Sequence, residues 1–207
     1  MFQLPQQITT AIQALAKLPG IGPKSASRLV YYLIKKPKAE VENLGQSLVG
    51  LTENLCFCEL CFQIADTHRC SICSDTKRNH KQIMVVEEPL DVLAFERTKD
   101  FSGTYHVLHG ILKPMDGIGP EQLKIAELVT RVAKLASESE QQLEIILAIN
   151  PSLEGESTAS YIAQLLQKIP QIQISRIGVG IPIGSSVEYT DEITLTQALQ
   201  GRRIINL

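Results

Sequence analysis

Five cysteines stand between positions 56 and 73 and nowhere else in the 207 residues. Four of them, Cys58, Cys61, Cys70 and Cys73, form two C-x2-C pairs separated by eight residues. Each pair offers two thiolates from one tight turn, and two such knuckles complete a tetrahedral zinc site. Four protein ligands leave no open coordination position. The expected metal is therefore one structural Zn2+ per chain, whose binding folds a segment too small to fold alone. An odd, clustered set is not a disulfide framework, and a redox dithiol would need one pair rather than two. His68 could replace a cysteine, but the set is complete without it. Cys56, spaced C-x-C from Cys58, is expected to be a buried free thiol.

A second chemistry is carried by glycine. The tetrapeptide GIGP occurs twice, at 20–23 and at 117–120. At the first copy two short helices flank L-P-G-I-G-P, and Pro23 suits the first position of the second helix. The amides of Gly20, Ile21 and Gly22 would then sit near a positive helix end, which makes an anion site. Lys24 and Arg28 stand one turn apart on the exposed face, and no acidic residue precedes Glu40. The stretch LPGIGPKSA resembles the helix-hairpin-helix motif, which holds DNA phosphates through hairpin amides without reading sequence. The plainer alternative is a structural turn with a solvated basic face. The stretch is not a P-loop, because Pro23 separates the glycine from Lys24 and no G-x-x-x-x-G-K-[ST] occurs. ATPase activity is not expected. At the second copy Asp116 precedes and Glu121 follows, so an arriving phosphate would meet like charge. That copy is expected to be a helix-starting loop.

Carboxylates supply a third possibility. The strand-like MVVEE ends at Glu87–Glu88, and NPSLEGEST carries Glu154 and Glu156. These two stretches resemble the Toprim domain. Its catalytic members place a glutamate at one strand end and an Asp-x-Asp pair before x-Glu-Gly-Glu at another, to hold Mg2+. Here the Asp-x-Asp positions hold Asn150 and Ser152. Two neutral groups in place of two carboxylates weaken a site for a hard cation. The expectation is a nucleic-acid enzyme scaffold without its metal chemistry. The competing reading is a Mg2+-dependent nuclease or primase using Glu87, Asp91, Glu154 and Glu156. For Glu156 a favourable interaction with the helix dipole suffices.

The elements that must position these groups follow from periodicity. Apolar residues recur helically over 6–18, 23–35 and 38–54, with Pro37 as a break. On the second of these helices Ala26, Leu29, Val30, Leu33 and Ile34 fall on one face, and Lys24, Arg28, Tyr31 and Lys35 on the other. Residues 55–76 lack periodicity and fit a metal-stapled module. From 81 onward, strands at 82–88, 105–110, 143–150 and 173–180 alternate with helices at 89–97, 119–136 and 155–169. That order argues for an α/β fold with a parallel sheet and helices on both faces. The tail from Ile181 offers a helix at 194–199 and a terminal strand in RRIINL. Domains are expected at 1–54, 55–76, 81–176 and 177–207.

Composition is ordinary for a globular chain, and no apolar run reaches the roughly 18 to 20 residues of a membrane span. The N-terminus lacks a cationic start followed by an apolar core, so a cytoplasmic protein is expected. Net charge is −2, but residues 1–81 carry +4 and 82–207 carry −6. A basic front half hints at a polyanion partner.

Helix-hairpin-helix region, four-cysteine zinc module, Toprim-like domain and short tail, in this order, resemble the RecR family of bacterial recombination mediators over nearly the whole chain. The resemblance implies a non-enzymatic, nucleoid-associated role in DNA repair. It implies work with RecO, and in some settings RecF, to help RecA load on single-stranded DNA at gaps. It also implies homodimers or ring-like homotetramers around DNA, built through the N- and C-terminal regions. On that picture Gly20, Ile21, Gly22, Lys24 and Arg28 face DNA, and residues near Glu87 and Glu154 face partners. The family's tail is Walker B-like, and EYTDEITL fits this weakly.

Overall fold

Ile8, Ile12 and Leu15 recur at helical spacing and become the partly buried face of α1 (Gln6–Leu15). The computed structural model describes residues 4–51, 53, 55–138 and 141–202. After the turn at 20–23, α2 (Pro23–Ile34) begins at Pro23 and buries Ala26 and Val30. Pro37 caps α3 (Lys38–Gly50). The expected stripe of α3 is present but not buried: Val41, Leu44 and Leu48 are exposed, as are Leu29 and Ile34 of α2. The first 54 residues form one unit, and residues from Leu55 form a second.

In the second unit β1 (Cys56–Phe57) pairs antiparallel with β2 (Ile64–Ala65), and the single turn α4 (Ser71–Ser74) follows. The alternating elements are β3 (Asn79–Val86), α5 (Pro89–Thr98), β4 (Gly103–Val107), α6 (Ile125–Glu138), β5 (Leu143–Ala148), α7 (Leu153–Leu166) and β6 (Ile172–Arg176). They build a four-stranded sheet of order β4-β3-β5-β6 with every pair parallel, as expected from the alternation. The fold is therefore mixed α/β, with helices and a cysteine module ahead of a Toprim-like parallel sheet. A short helix, α8 (Glu192–Gln200), lies in the tail. Of the expected terminal strand, 203–207 lie outside the described residues.

Several boundaries differ by three or four residues, as where the strand expected over 173–180 ends at Arg176, and one differs more. The helix expected from 119 begins only at Ile125. Residues Pro120–Gln122 make a single 3-10 turn, and Leu123 is extended at φ −109°, ψ 160°. The extension turns Leu123 inward, to 4 % exposure, so burial of that side chain breaks the helical run.

Successive residues of a strand point to opposite faces, and the core divides accordingly. Ile83, Val85, Ile145 and Leu147 face α6 and α7, where Leu128, Val132, Ile162 and Leu166 are fully buried. Met84, Val86, Tyr105 and Val107 face the other side, with Val92 of α5. Phe62 and Ile72, from the cysteine module, pack against that second cluster. The module is also bonded to the sheet: the Val107 amide donates to Cys61 O at 2.8 Å, and Gln63 Nε2 donates to Pro89 O at 2.9 Å.

Candidate functional site

The tightest gathering of reactive groups is the cysteine cluster. The β1–β2 hairpin presents Cys58 and Cys61, and α4 presents Cys70 and Cys73. All four are buried, none forms a disulfide, and their sulfurs lie within 4.8 Å of one another. Zn–S bonds of about 2.3 Å in a tetrahedron place sulfurs about 3.8 Å apart. The Cys61 and Cys70 sulfurs are 3.5 Å apart, close to that spacing. Contact with Cys70 and Cys73, then burial, pushes the Cys61 thiol up, whereas contact with Cys61 and Cys73 holds the Cys70 thiol down. Four thiolates cannot share this space without a cation, and the donor set fits zinc.

Sequence reasoning missed the positive charge beside this cluster. Arg131 of α6 donates to Leu60 O at 3.2 Å, to Tyr105 O at 2.6 Å and to Thr104 Oγ1 at 3.0 Å. Burial lowers its pKa, and the charges of the four cysteines act in the opposite sense. A guanidinium held there offsets part of the two negative charges that a four-thiolate zinc site carries. Its partners lie 26 to 71 positions away in the chain, so no local pattern could announce it. Cys56 corrects another expectation. It is exposed, on a strand too short to cover it, and its thiol donates to Thr67 O at 3.1 Å.

The first GIGP turn is open. Gly20 takes φ +78°, a conformation that disfavours side chains, and Gly22 caps α2 with φ −79°, ψ 169°. The helix has no side-chain cap and no acid in its first turn. Among the described residues no hydrogen bond occupies the amides of Gly22, Lys24 or Ser25. The Ile21 amide, expected among the anion donors, already donates to Leu18 O at 3.1 Å. A Cβ at Gly22 would meet nothing within 4 Å among the described residues, so packing does not call for glycine there. Lys24 and Arg28 are exposed beside it.

The second GIGP turn is closed. Ile118 exchanges hydrogen bonds with Lys113 at 3.0 Å, Gly117 N donates to Pro114 O at 3.1 Å, and Gly119 N donates to Gln122 Oε1 at 2.7 Å. The Glu121 carboxylate lies over the turn, 2.6 Å from where a Cβ on Gly119 would be.

The carboxylates at the strand ends are each engaged or exposed, and they do not converge. Asn150 Nδ2 donates to Glu87 Oε2 at 2.8 Å, so the amide occupies the acid left by the Asp-x-Asp replacement. Ser152 caps α7 by accepting from Gly155 N at 3.0 Å. Gly155 is needed sterically, because a Cβ would come within 2.0 Å of Asn150 O. Glu156 forms a two-pronged pair with Arg176, which lowers its pKa; the helix dipole alone is not its partner. Asp91 accepts from Glu88 N at 2.8 Å and caps α5. Glu154 is exposed and borders a groove with Lys113, Asp116 and Ser152. Among the described residues the four cysteines are the one group of acidic, histidine or cysteine side chains close enough to hold an ion together.

Comparison with known families matches residues 8–51 to the RecR helix-hairpin-helix, 81–178 to the Toprim domain and 180–203 to the RecR C-terminal region. A recombination protein RecR of Carboxydothermus hydrogenoformans is 46% identical over 200 residues, covering 97% of this chain and 98% of its own. One of Herpetosiphon aurantiacus is 46% identical over 199 residues, covering 96% and 95%. One of Synechococcus elongatus is 47% identical over 192 residues, covering 93% of each. The chain belongs to the RecR family. The open hairpin lies inside the matched RecR helix-hairpin-helix, and the closed one lies inside the Toprim match. In the sequence the cysteine cluster falls between these two matched segments.

Proposed function

We propose that this chain is a DNA-binding mediator of recombination repair rather than an enzyme. The observation that carries the reading is the hairpin at 20–23. Its helix end has no side-chain cap and no acid in the first turn, and Lys24 and Arg28 are exposed beside it. Gly20 and Ile21 shape the turn, while the amide of Gly22 and the two cations meet the phosphates. Such contacts bind duplex or single strands without reading sequence, and they release counterions. Working in the cytoplasm at the nucleoid, the protein would act with RecO, and with RecF where present, to help RecA load at gaps. Among the described residues no helix is long and apolar enough to cross a membrane.

Assembly follows from the same unit. The exposed stripe Leu44 and Leu48, with Leu29 and Ile34, is apolar surface suited to a second copy, giving a homodimer or a ring-like homotetramer. Partner contacts on the Toprim part are assigned to the strand ends near Glu87 and Glu154, where Leu90, Met115 and Leu153 are also exposed. We assign the domains as 1–54, 55–76, 81–176 and 177–207. One zinc ion on Cys58, Cys61, Cys70 and Cys73 holds the second of these in place.

The non-enzymatic reading rests on Asn150. Its amide donates to Glu87 at 2.8 Å, where a metal enzyme would need a second carboxylate. The decisive experiment is DNA binding by Lys24→Ala/Arg28→Ala, with sedimentation to confirm assembly. Binding equal to wild type removes the hairpin assignment. Mg2+-dependent nicking by pure protein, abolished by Glu87→Gln, removes the non-enzymatic one. Metal analysis should give one zinc per chain, lost in Cys58→Ser and kept in Cys56→Ser.

A further inference from the structure

Helix α2 carries more than the two cations beside its hairpin. Lys24, Arg28, Tyr31 and Lys35 stand at i, i+4, i+7 and i+11 and are all exposed. At about 100° per residue these four fall within an arc of about 60°, one straight stripe along the helix. Ala26 and Val30, the buried residues of α2, fall on the opposite side. With Ser27 and Tyr32 the stripe lines a shallow groove.

The two tyrosines of the groove are in different situations. Tyr32 has Lys36 Nζ over its ring at 5.1 Å, and Lys36 pairs with Glu40 at 3.2 Å. Tyr31, 45 % exposed, has no ring, cation or hydrogen-bond partner among the described residues. Its ring stands on the stripe and not on the side that buries Ala26 and Val30, between Arg28 on one turn and Lys35 on the next. At 1.5 Å rise per residue it stands about 10 Å along the helix from Lys24, and Lys35 about 16 Å. A strand with one phosphate at the hairpin would therefore run along cation, ring and cation.

A duplex offers such a track only phosphates, because its bases are stacked on each other. An unpaired base offers a π-face. Basic grooves interleaved with aromatic rings are the recurring solution for unpaired strands, with stacking as the sequence-tolerant element. We infer that Tyr31 is a stacking platform for an unpaired base, so that α2 favours single-stranded DNA over uninterrupted duplex. This rests on the hairpin reading above.

The chain contains no tryptophan, so Tyr31→Trp gives a single-site reporter. Three probes are compared at one salt concentration: a thymidine oligonucleotide, an abasic strand of the same length and charge, and a duplex. The indole fluorescence of the Tyr31→Trp variant should be quenched by the thymidine strand and not by the abasic one. Tyr31→Ala should lose about tenfold in affinity for the thymidine strand, with less than about twofold change on the abasic strand and the duplex. Tyr31→Phe should bind like wild type, because the ring and not the hydroxyl is used. If Tyr31→Ala keeps the preference for the thymidine strand while Lys24→Ala/Arg28→Ala loses DNA, stacking is wrong and the hairpin reading stands. If the double variant binds as wild type does, both fall. If Tyr31→Ala lowers the sedimenting mass, Tyr31 is a contact between copies, and the inference is overturned.

Discussion

At 20–23 the sequence GIGP leaves a helix end without a side-chain cap, whereas at 117–120 Gly117, Ile118 and Gly119 commit their amides to Pro114, Lys113 and Gln122. The glycines take similar φ angles in both. The first glycine takes φ +78° in one and +72° in the other, and the second takes φ −79° and −98°. Four residues thus set the shape of the turn but not its availability. Availability is decided by neighbours. Gln122 and Glu121 fold back over the second turn, and nothing comparable follows Pro23, where the chain continues Lys-Ser-Ala-Ser-Arg.

The contrast is most exposed to failure in its charges. Lys24→Ala/Arg28→Ala should lower duplex affinity at least about tenfold at low salt. It should also make the slope of log K against log salt shallower by about 1.8, two phosphate contacts at about 0.9 each. Asp116→Ala/Glu121→Ala should change neither quantity in the same titration. Next come the left-handed glycines. Gly20→Ala and Gly117→Ala should each cost about 1 kcal/mol in urea unfolding, since both place a Cβ at positive φ. Of the two, only Gly20→Ala should also weaken DNA binding. A smaller effect separates the capping glycines. Gly22→Ala and Gly119→Ala should each cost about 0.5 kcal/mol of stability, while Gly22→Ala alone lowers DNA affinity, because its Cβ points into space the backbone of DNA would use. Smallest is the expected result of adding Asp116→Lys and Glu121→Lys to the double variant at 24 and 28. DNA binding should not return, because the amides of the second turn are already bonded. Recovery of binding would mean that charge alone makes the site.

Much of this was legible in residue order. The C-x2-C pairs are local, so their spacing alone announced the cluster that the fold assembles. The parallel sheet followed from alternating apolar strands and amphipathic helices. What escaped reading was long-range. Arg131 reaches the cysteine module from α6, and Arg176 reaches Glu156 from the end of β6. The helical period continued through 119–124, but the burial of Leu123 overrode it. The stripe of α3 has the right spacing, yet its residues are exposed, because periodicity reports which face is apolar and not what covers it. The neutral Asn150 was readable as a lost carboxylate, but not as a donor to Glu87.

Phe62 and Ile72 belong to the cysteine module and also to the core beneath β3 and β4. If the four cysteines hold an ion, a chain that loses it would therefore uncover part of that sheet, beyond two cysteine loops. Its survival among cellular proteases would fall with the opened fraction, so the lifetime of the protein would follow the zinc supply of the cell.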